Sequence, residues 1–271
     1  MDNTGKLDYA ALMEVMRRRR SVRRFEQGRS VGRDTLLKIV EAGRWAPSGA
    51  NAQPWDFIVV DDPAVKKQVF DAFMRQSLRL IDHAKGFPAV RKDYIENTVA
   101  IIVVLGDRRW KACFPQGTTP SFVKEYDDNN EKIYLVSLGA AIQNLQLGVT
   151  AVGLTSAWLS GGGEETTNRD LAEILGYPTT LEAVGTIPVG YPEEDVTFRY
   201  RRPIEQLVHW NRYDPTKYRP QDMIDFYIRE LRPFAMYRGS ERMEDWEDTE
   251  QKLGAWKDAF TGPAPNPGGK F

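Results

Sequence analysis

The chain has 271 residues, of which 41% are hydrophobic and 11% aromatic, enough for one large globular domain or two small ones with a full core. Charged residues make up 28% and nearly cancel to a net charge of -1, so nothing in the overall balance draws the chain to nucleic acid or to a membrane surface. A single cysteine, Cys113, excludes an intramolecular disulfide framework. The polar N-terminus lacks a secretory apolar core, and no uninterrupted apolar stretch reaches the length of a membrane span, so the expectation is a cytoplasmic protein with no membrane partner.

Tyr9 to Arg19 reads as a helix with Leu12, Val15 and Met16 on one stripe and Asp8 as its N-cap. It runs into Arg17-Arg18-Arg19-Arg20-Ser21-Val22-Arg23-Arg24, six arginines in eight positions. Part of such a run can simply complement the negative pole of the helix, or form a solvated face. A nucleic-acid patch is the weaker reading, since no interleaved aromatic platform accompanies it. A phosphate site is the sharper one, because guanidinium forks bind phosphate oxygens bidentately and Ser21 adds a hydroxyl.

Leu36, Ile39, Val40 and Gly43 recur at helical spacing, and Phe57 to Val60 reads as a buried strand. Between them lies Ala46-Pro47-Ser48-Gly49-Ala50-Asn51-Ala52-Gln53-Pro54-Trp55. Two prolines, a glycine, a serine and an asparagine make this a shaped loop. It is either an ordinary helix-to-strand turn capped by a core tryptophan, or a surface of backbone N–H groups and small side chains against which a flat heterocycle can lie.

Asp62-Pro63 opens a helix that extends to about Leu80. Residues 81–97 are polar and mixed and include His83, which reads as a surface or satisfied residue. Thr98 to Leu105 is a buried strand, and Gly106 to Pro120 is an irregular segment that is either a functional lid or a packed surface excursion. Cys113 lies in it with no histidine partner and receives no role. Asn129 to Leu147 is a helix apolar on most sides, hence buried, with Gly139-Ala140-Ala141 permitting close backbone approach.

Ala151 to Trp158 reads as a strand that ends in Leu159-Ser160-Gly161-Gly162-Gly163, where glycines let backbone amides approach a ligand, although such a cluster is often a plain loop. Thr167 to Leu175 is a short helix with Gly176 at its C-terminal cap, and Leu181 to Val189 is a strand that Pro188 should break. Phe198-Arg199-Tyr200-Arg201-Arg202-Pro203, if extended, sets Arg199 and Arg201 on one side; a charged edge strand is the plain alternative. His209 reads as a packing or hydrogen-bonding residue, Gln221 to Leu231 as a helix, and the last ten residues as a Pro- and Gly-rich tail without order.

The 46–55 loop and the run Arg19-Arg20-Ser21-Val22-Arg23-Arg24-Phe25 together resemble the signature motifs of the flavin-dependent nitroreductase family, in the same order and at similar spacing. The resemblance covers roughly residues 9 to 210. It implies an α+β fold with a central mixed, mainly antiparallel sheet flanked by helices, as an intertwined homodimer with the 129–147 helix at its centre. Residues 1–210 would form the family domain and 211–271 an extension wrapping the partner subunit.

The resemblance further implies a site for flavin mononucleotide (FMN). Arg19, Arg20, Ser21 and Arg23 map onto the positions that hold its phosphate and ribityl chain, and Arg199 and Arg201 return to the same phosphate, with Arg202 uncertain in register. Pro47, Ser48, Gly49 and Asn51 would come from the other subunit. Trp158 and Leu159 would line one face of the ring, with a backbone N–H of Ser160 or Gly161 facing its N5 atom. Arg17, Arg18 and Arg24 have no counterpart and stand as surface charge.

What is missing points the same way. Two histidines in the whole chain leave little for a metal site, and no nucleophile elbow, Walker loop or dinucleotide fingerprint occurs. Chemistry without its own acid, base or metal constellation is most naturally borrowed from a cofactor. The resulting expectation is an FMN-dependent oxidoreductase in which no side chain is the catalyst. It would use NAD(P)H to reduce a small aromatic acceptor such as a nitroaromatic or quinone by ping-pong hydride transfer. Two alternatives stand beside it. One is a reductive dehalogenase like iodotyrosine deiodinase, where a threonine hydroxyl near N5 would fall at Ala157 with Ser156 adjacent. The other is a flavin- or nucleic-acid-binding protein without turnover.

Overall fold

The computed structural model describes residues 8–83, 92–194, 204–226 and 228. The chain divides into two compact units, residues 1–196 and 197–271. Arg199 and Arg201, and with them Arg202, lie outside the described residues.

The first unit is built on a four-stranded sheet in the order β1-β2-β4-β3, from β1 (Trp55–Val60), β2 (Ala100–Asp107), β3 (Thr155–Ser156) and β4 (Leu181–Gly190). Among the described residues every ladder is antiparallel, and the parallel component is a single bridge from Ser21 to Ser156. The fold class is α+β as expected. β2 is buried along its whole length because both of its faces are covered. Ile101, Val103 and Leu105 point to one side, where they meet Val69, Phe73 and Leu171 of α3 (Pro63–His83) and α5 (Glu165–Leu175). Ala100, Ile102 and Val104 point to the other and meet Leu36, Ile39, Ile142 and Leu145 of α2 (Arg33–Arg44) and α4 (Pro120–Ala151). The period of two along the strand therefore serves two helical layers at once.

Local caps set three of the helix ends. Asp8 accepts from the N–H groups of Ala10 and Ala11 to start α1 (Tyr9–Arg18), and Asp62 accepts from those of Ala64 and Val65 to start α3. Gly176, at φ 75°, closes α5 with its N–H on Ala172 O.

Three elements differ from the sequence reading. α4 begins at Pro120 rather than Asn129; its first turns are exposed and carry no core stripe to mark them in the sequence, and Phe122 lies tilted against Tyr126 there, with ring centres 4.2 Å apart. At its other end α4 continues to Ala151, into sequence that the β-branched Val149, Thr150 and Val152 make strand-like. Gly153 stops it at φ 80°, with its N–H on Thr150 O and the Leu154 N–H on Val149 O, a paired closure that leaves only Thr155–Ser156 to join the sheet. Pro188 does not break β4: it stays in register opposite Ile101, and its carbonyl accepts from Ala157 N–H.

By length and composition α4 is apolar enough to cross a bilayer. In this fold Tyr134, Leu138, Ala141, Ile142, Leu145 and Val149 are spent on the core instead.

In the second unit, α6 (Gln221–Phe226) follows two short turns. His209 accepts from Asp214 N–H at 3.0 Å and stacks on Tyr213, a packing role of the kind its sequence context suggests. Residues 227 and 229–231 of the expected 221–231 helix lie outside the described residues.

Candidate functional site

The arginine run leaves α1 and docks on β3. Val22 N–H donates to Ser156 O at 2.9 Å, and Ser21 forms the bridge to Ser156. Phe25, buried, then pins the run by bridging to Pro192 at the end of β4. Two segments 135 positions apart thus become one surface, because β3 leads within two residues into Trp158. Along this surface Arg19, Arg20 and Arg23 are half-buried, Ser21 is exposed, and an Arg20 guanidinium N–H bonds Arg19 O at 2.7 Å. Two of the three unmapped arginines are spent elsewhere: Arg18 pairs with Glu14 at 2.7 Å and Arg24 with Glu194 at 2.7 Å. The six cations therefore do not form one continuous basic face.

Beyond β3 the chain crosses β4. Leu159 exchanges both of its backbone hydrogen bonds with Thr186, at 2.9 Å each, and its side chain is buried in the core with Leu171 and Ala183. Trp158 is exposed, and its indole N lies close over Gly185. Ser160–Gly163 form a tight 3-10 turn with Ser160 exposed and Gly162 buried. A Cβ at Gly161 would stand 2.5 Å from the amide of Gln76, so a side chain there would have to displace that amide.

The 46–54 loop is seated separately. Gly49 N–H donates to Ser137 Oγ on α4 at 3.1 Å, and Pro54 O accepts from Asp107 N–H at the end of β2. Ser48 Oγ accepts from Gln53 N–H at 2.9 Å, folding the loop on itself. Ala50, Asn51 and Gln53 hold φ of 50°, 52° and 47°. Non-glycine residues in this left-handed region cost about 1 kcal/mol each, so the loop's shape is maintained against local preference. Pro47 and Asn51 are exposed, and Ser48 and Gly49 half-buried. The anchors of this loop are α4 and β2, not the arginine run.

The 106–120 segment is a packed excursion. Asp107 accepts from Arg109 N–H, and Phe114 is buried against Gly49. Arg108 bridges Glu182 at 2.9 Å and also pairs with Glu131; Tyr134, buried beside them, donates to Glu182 at 3.0 Å. Burial, with Glu182 alongside, pushes the Tyr134 phenol far above its ordinary range, so it stays protonated and can donate to Glu182. Cys113 and His83 are exposed, outside these clusters.

One cluster was not singled out in the sequence. Gln76 of α3 and Lys92 are both buried next to the 160–163 turn, and Lys92 donates to Gln76 Oε1. Burial lowers the Lys92 ammonium to about 8, against the attraction of Glu164. Burial also pushes the Glu164 carboxyl up, but bonds from Arg79, Thr167 and Gln76 outweigh it and hold it below its ordinary range. A signal existed: Gln76 interrupts the apolar stripe of Val69 and Phe73 at helical spacing.

The sequence model of the nitroreductase family matches residues 16–191. The chain belongs to the nitroreductase family. A protein of Archaeoglobus fulgidus assigned as an NADH dehydrogenase/NAD(P)H nitroreductase is 27% identical over 186 residues, which span 69% of this chain and 88% of that one. The iodotyrosine deiodinase of Nematostella vectensis is 28% identical over 214 residues, 73% of this chain and 74% of its own. Among solved structures, an oxidized iodotyrosine deiodinase bound to FMN and 3-iodo-L-tyrosine superposes with a TM-score of 0.58 at 22% identity, covering 74% of this chain and 100% of that chain; at that identity the likeness concerns the fold. The matched span contains the arginine run, the 46–54 loop and the 158–161 turn.

Proposed function

We propose that this nitroreductase-family chain is an FMN-dependent oxidoreductase that acts as a homodimer and uses NAD(P)H to reduce small aromatic acceptors. The observation that carries the reading is the docking of the Arg19–Arg23 segment on Ser156, which brings the backbone of a stretch with three arginines and a serine to a strand that leads within two residues into an exposed tryptophan and the glycine turn. That donor set suits a dianionic phosphate attached to a flat ring. When bound, the flavin supplies the redox chemistry, taking a hydride from NAD(P)H and passing electrons to a nitroaromatic or quinone.

The chain's own part is binding, orientation and exclusion of water. Arg19, Arg20, Ser21 and Arg23 hold the phosphate and ribityl chain, joined by Arg199 and Arg201. Trp158 would line one face of the ring, and a backbone N–H of Ser160 or Gly161 would face its N5 atom. The other copy of the chain presents Pro47, Ser48, Gly49 and Asn51. Two features support the dimer. Val136 of α4 is 72% exposed and Leu135 beside it is also open; nothing lies within 4 Å of the place where a Cβ on Gly139 would stand. Tyr9, Leu12 and Met16 of α1 are exposed as well. An apolar surface of this kind calls for a cover.

Dehalogenation is the less favoured chemistry, because residue 157 is a buried alanine and offers no hydroxyl.

The deciding experiment is an absorption spectrum of purified protein during anaerobic titration with reduced nicotinamide, with the released cofactor identified. A flavin spectrum that bleaches on titration, with FMN released, is expected. A colourless protein that takes up no flavin on reconstitution defeats the reading, as does recovery of the adenine dinucleotide alone. Faster turnover of an iodophenol than of nitroaromatics or quinones would move it to dehalogenation. Light scattering should give about twice 30.9 kDa.

A further inference from the structure

The buried cluster behind the 160–163 turn has a definite chemical logic. Gln76 is 3% exposed on α3, and its Nε2 donates to Gly161 O at 2.6 Å. Its Oε1 accepts from Lys92 Nζ, which is itself 8% exposed. An ammonium has donors and no acceptor, so the carbonyl end of the Gln76 amide must face Lys92 and the NH2 end must face Gly161. Lys92 thereby fixes which way the amide points. The same Nε2 lies 3.3 Å from Glu164 Oε2, and Glu164 is tied in turn to Arg79 at 2.7 Å and to the Thr167 hydroxyl. Gly161 O also accepts from Glu164 N–H at 3.2 Å. One backbone carbonyl is therefore gripped by a side-chain amide and by the turn's own closing bond.

We infer that Gln76 is a positioning residue for the 160–163 turn: its amide, oriented by Lys92, holds the Gly161 carbonyl inward and so sets the direction of the peptide plane between Gly161 and Gly162. A trans peptide places C=O and N–H on opposite sides, so a carbonyl held toward α3 turns the Gly162 N–H away from it. A glycine turn has many backbone conformations to choose from, and a specific external bond is what selects one. The inference rests on the proposed function, which sets this turn against the flavin ring. If the turn tunes the ring, the amide that fixes the turn tunes it at second hand. Gln76 is not required to touch the cofactor.

The test uses FMN-loaded full-length protein and the variant Gln76→Glu. Glutamate keeps the length and the acceptor for Lys92 but removes the donor to Gly161. The reduction potential and visible spectrum of the bound flavin are compared with wild type. The relative affinity for reduced over oxidised flavin should change at least tenfold, about 30 mV for a two-electron couple. The preference for FMN over riboflavin should stay within about twofold, since the phosphate site is untouched.

In flavin-free protein, amide hydrogen exchange at Glu164 should accelerate at least about tenfold, because its N–H shares the acceptor that Gln76 orders. A folded Gln76→Glu protein with unchanged potential and unchanged exchange overturns the inference, as does a loss confined to the FMN-over-riboflavin preference. If Gln76→Glu does not fold, Gln76→Met takes its place with the same expectations; failure of both to fold makes Gln76 a structural support and ends the inference. A wild-type protein that binds no flavin defeats the functional reading, while the exchange measurement still decides whether Gln76 orders the turn.

Discussion

Gly49 is the position at which the signature loop's seat on α4 can be tested most sharply. A Cβ at residue 49 would stand 2.2 Å from Ile133 Cγ2 and 3.0 Å from Phe114 Cε1. Non-bonded carbons settle at about 3.5–4.0 Å, so Gly49→Ala forces the loop or Ile133 to move by more than an ångström. Overpacking of this kind costs about 1–3 kcal/mol. Alanine recovers about 0.4–1 kcal/mol by narrowing the unfolded chain, since residue 49 is not among the positive-φ glycines. A contact of 2.2 Å places the cost in the upper half of that range, about 2–3 kcal/mol, so the net expectation is a loss of about 1–2.6 kcal/mol, with weaker flavin binding as Ser48 and Asn51 shift. Ile133→Ala removes the colliding methyl, so the two substitutions together should cost at least about 1 kcal/mol less than their sum. Denaturant unfolding at fixed protein and flavin concentration measures all four members of the cycle. A Gly49→Ala protein as stable as wild type, or strict additivity with Ile133→Ala, refutes the claim that close packing against α4 seats the loop.

Arg23→Ala should lower FMN affinity by about ten- to a hundredfold, the worth of one charge-assisted bond of roughly 1.5–3 kcal/mol, while Arg18→Ala, which loses only its exposed pair with Glu14, should leave it nearly unchanged. Equal losses in the two titrations would mean a nonspecific basic face. At Ala50, held at φ 50°, substitution by glycine should leave thermal stability equal or raise it by up to about 1 kcal/mol, whereas valine should lower it by about 1–2 kcal/mol; a stabilising valine would show the strain to be absent.

Lys92 predicts a pH effect. Its folded value lies near 8, below the ordinary 10.5. Between those pH values the unfolded chain holds a proton that the folded chain has released, so stability rises with pH there. The burial penalty is fully present below about 8 and relieved as pH climbs toward 10.5, by at most about 3 kcal/mol. Wild-type protein should therefore gain stability relative to Lys92→Met from pH 8 to 10 in denaturant titrations, and parallel profiles would remove Lys92 from the account.

Much of this molecule is decided by short-range sequence. Asp8 and Asp62 cap helices because a carboxylate two or three positions ahead of free N–H groups needs no tertiary help. The continuous apolar run of β2 announces a strand covered on both faces, and the arginine run and the 46–55 loop carry residue types compatible with phosphate and flat-ring binding, a reading that the family resemblance selects over a charged face and a plain turn. The family's motifs are local for the same reason.

Other features were decided only by packing. Val149 and Thr150 have strand-like side chains, yet α4 keeps them because Val149 fills the core and Gly153 closes the helix just beyond its cap residue Val152. Pro188 lies within a ladder since its missing N–H is tolerated where its carbonyl is still used, by Ala157. Leu159, which the motif sets beside the ring, turns its side chain into the core once Thr186 takes both of its backbone groups. Gln76 and Lys92 gave only a faint sign, one polar residue on an apolar stripe, because the meaning of a buried amide lies in its partners. Those partners, Gly161 and Glu164, are 85 and 88 positions away from Gln76 and meet it only after α3 and α5 have packed on the same face of the sheet.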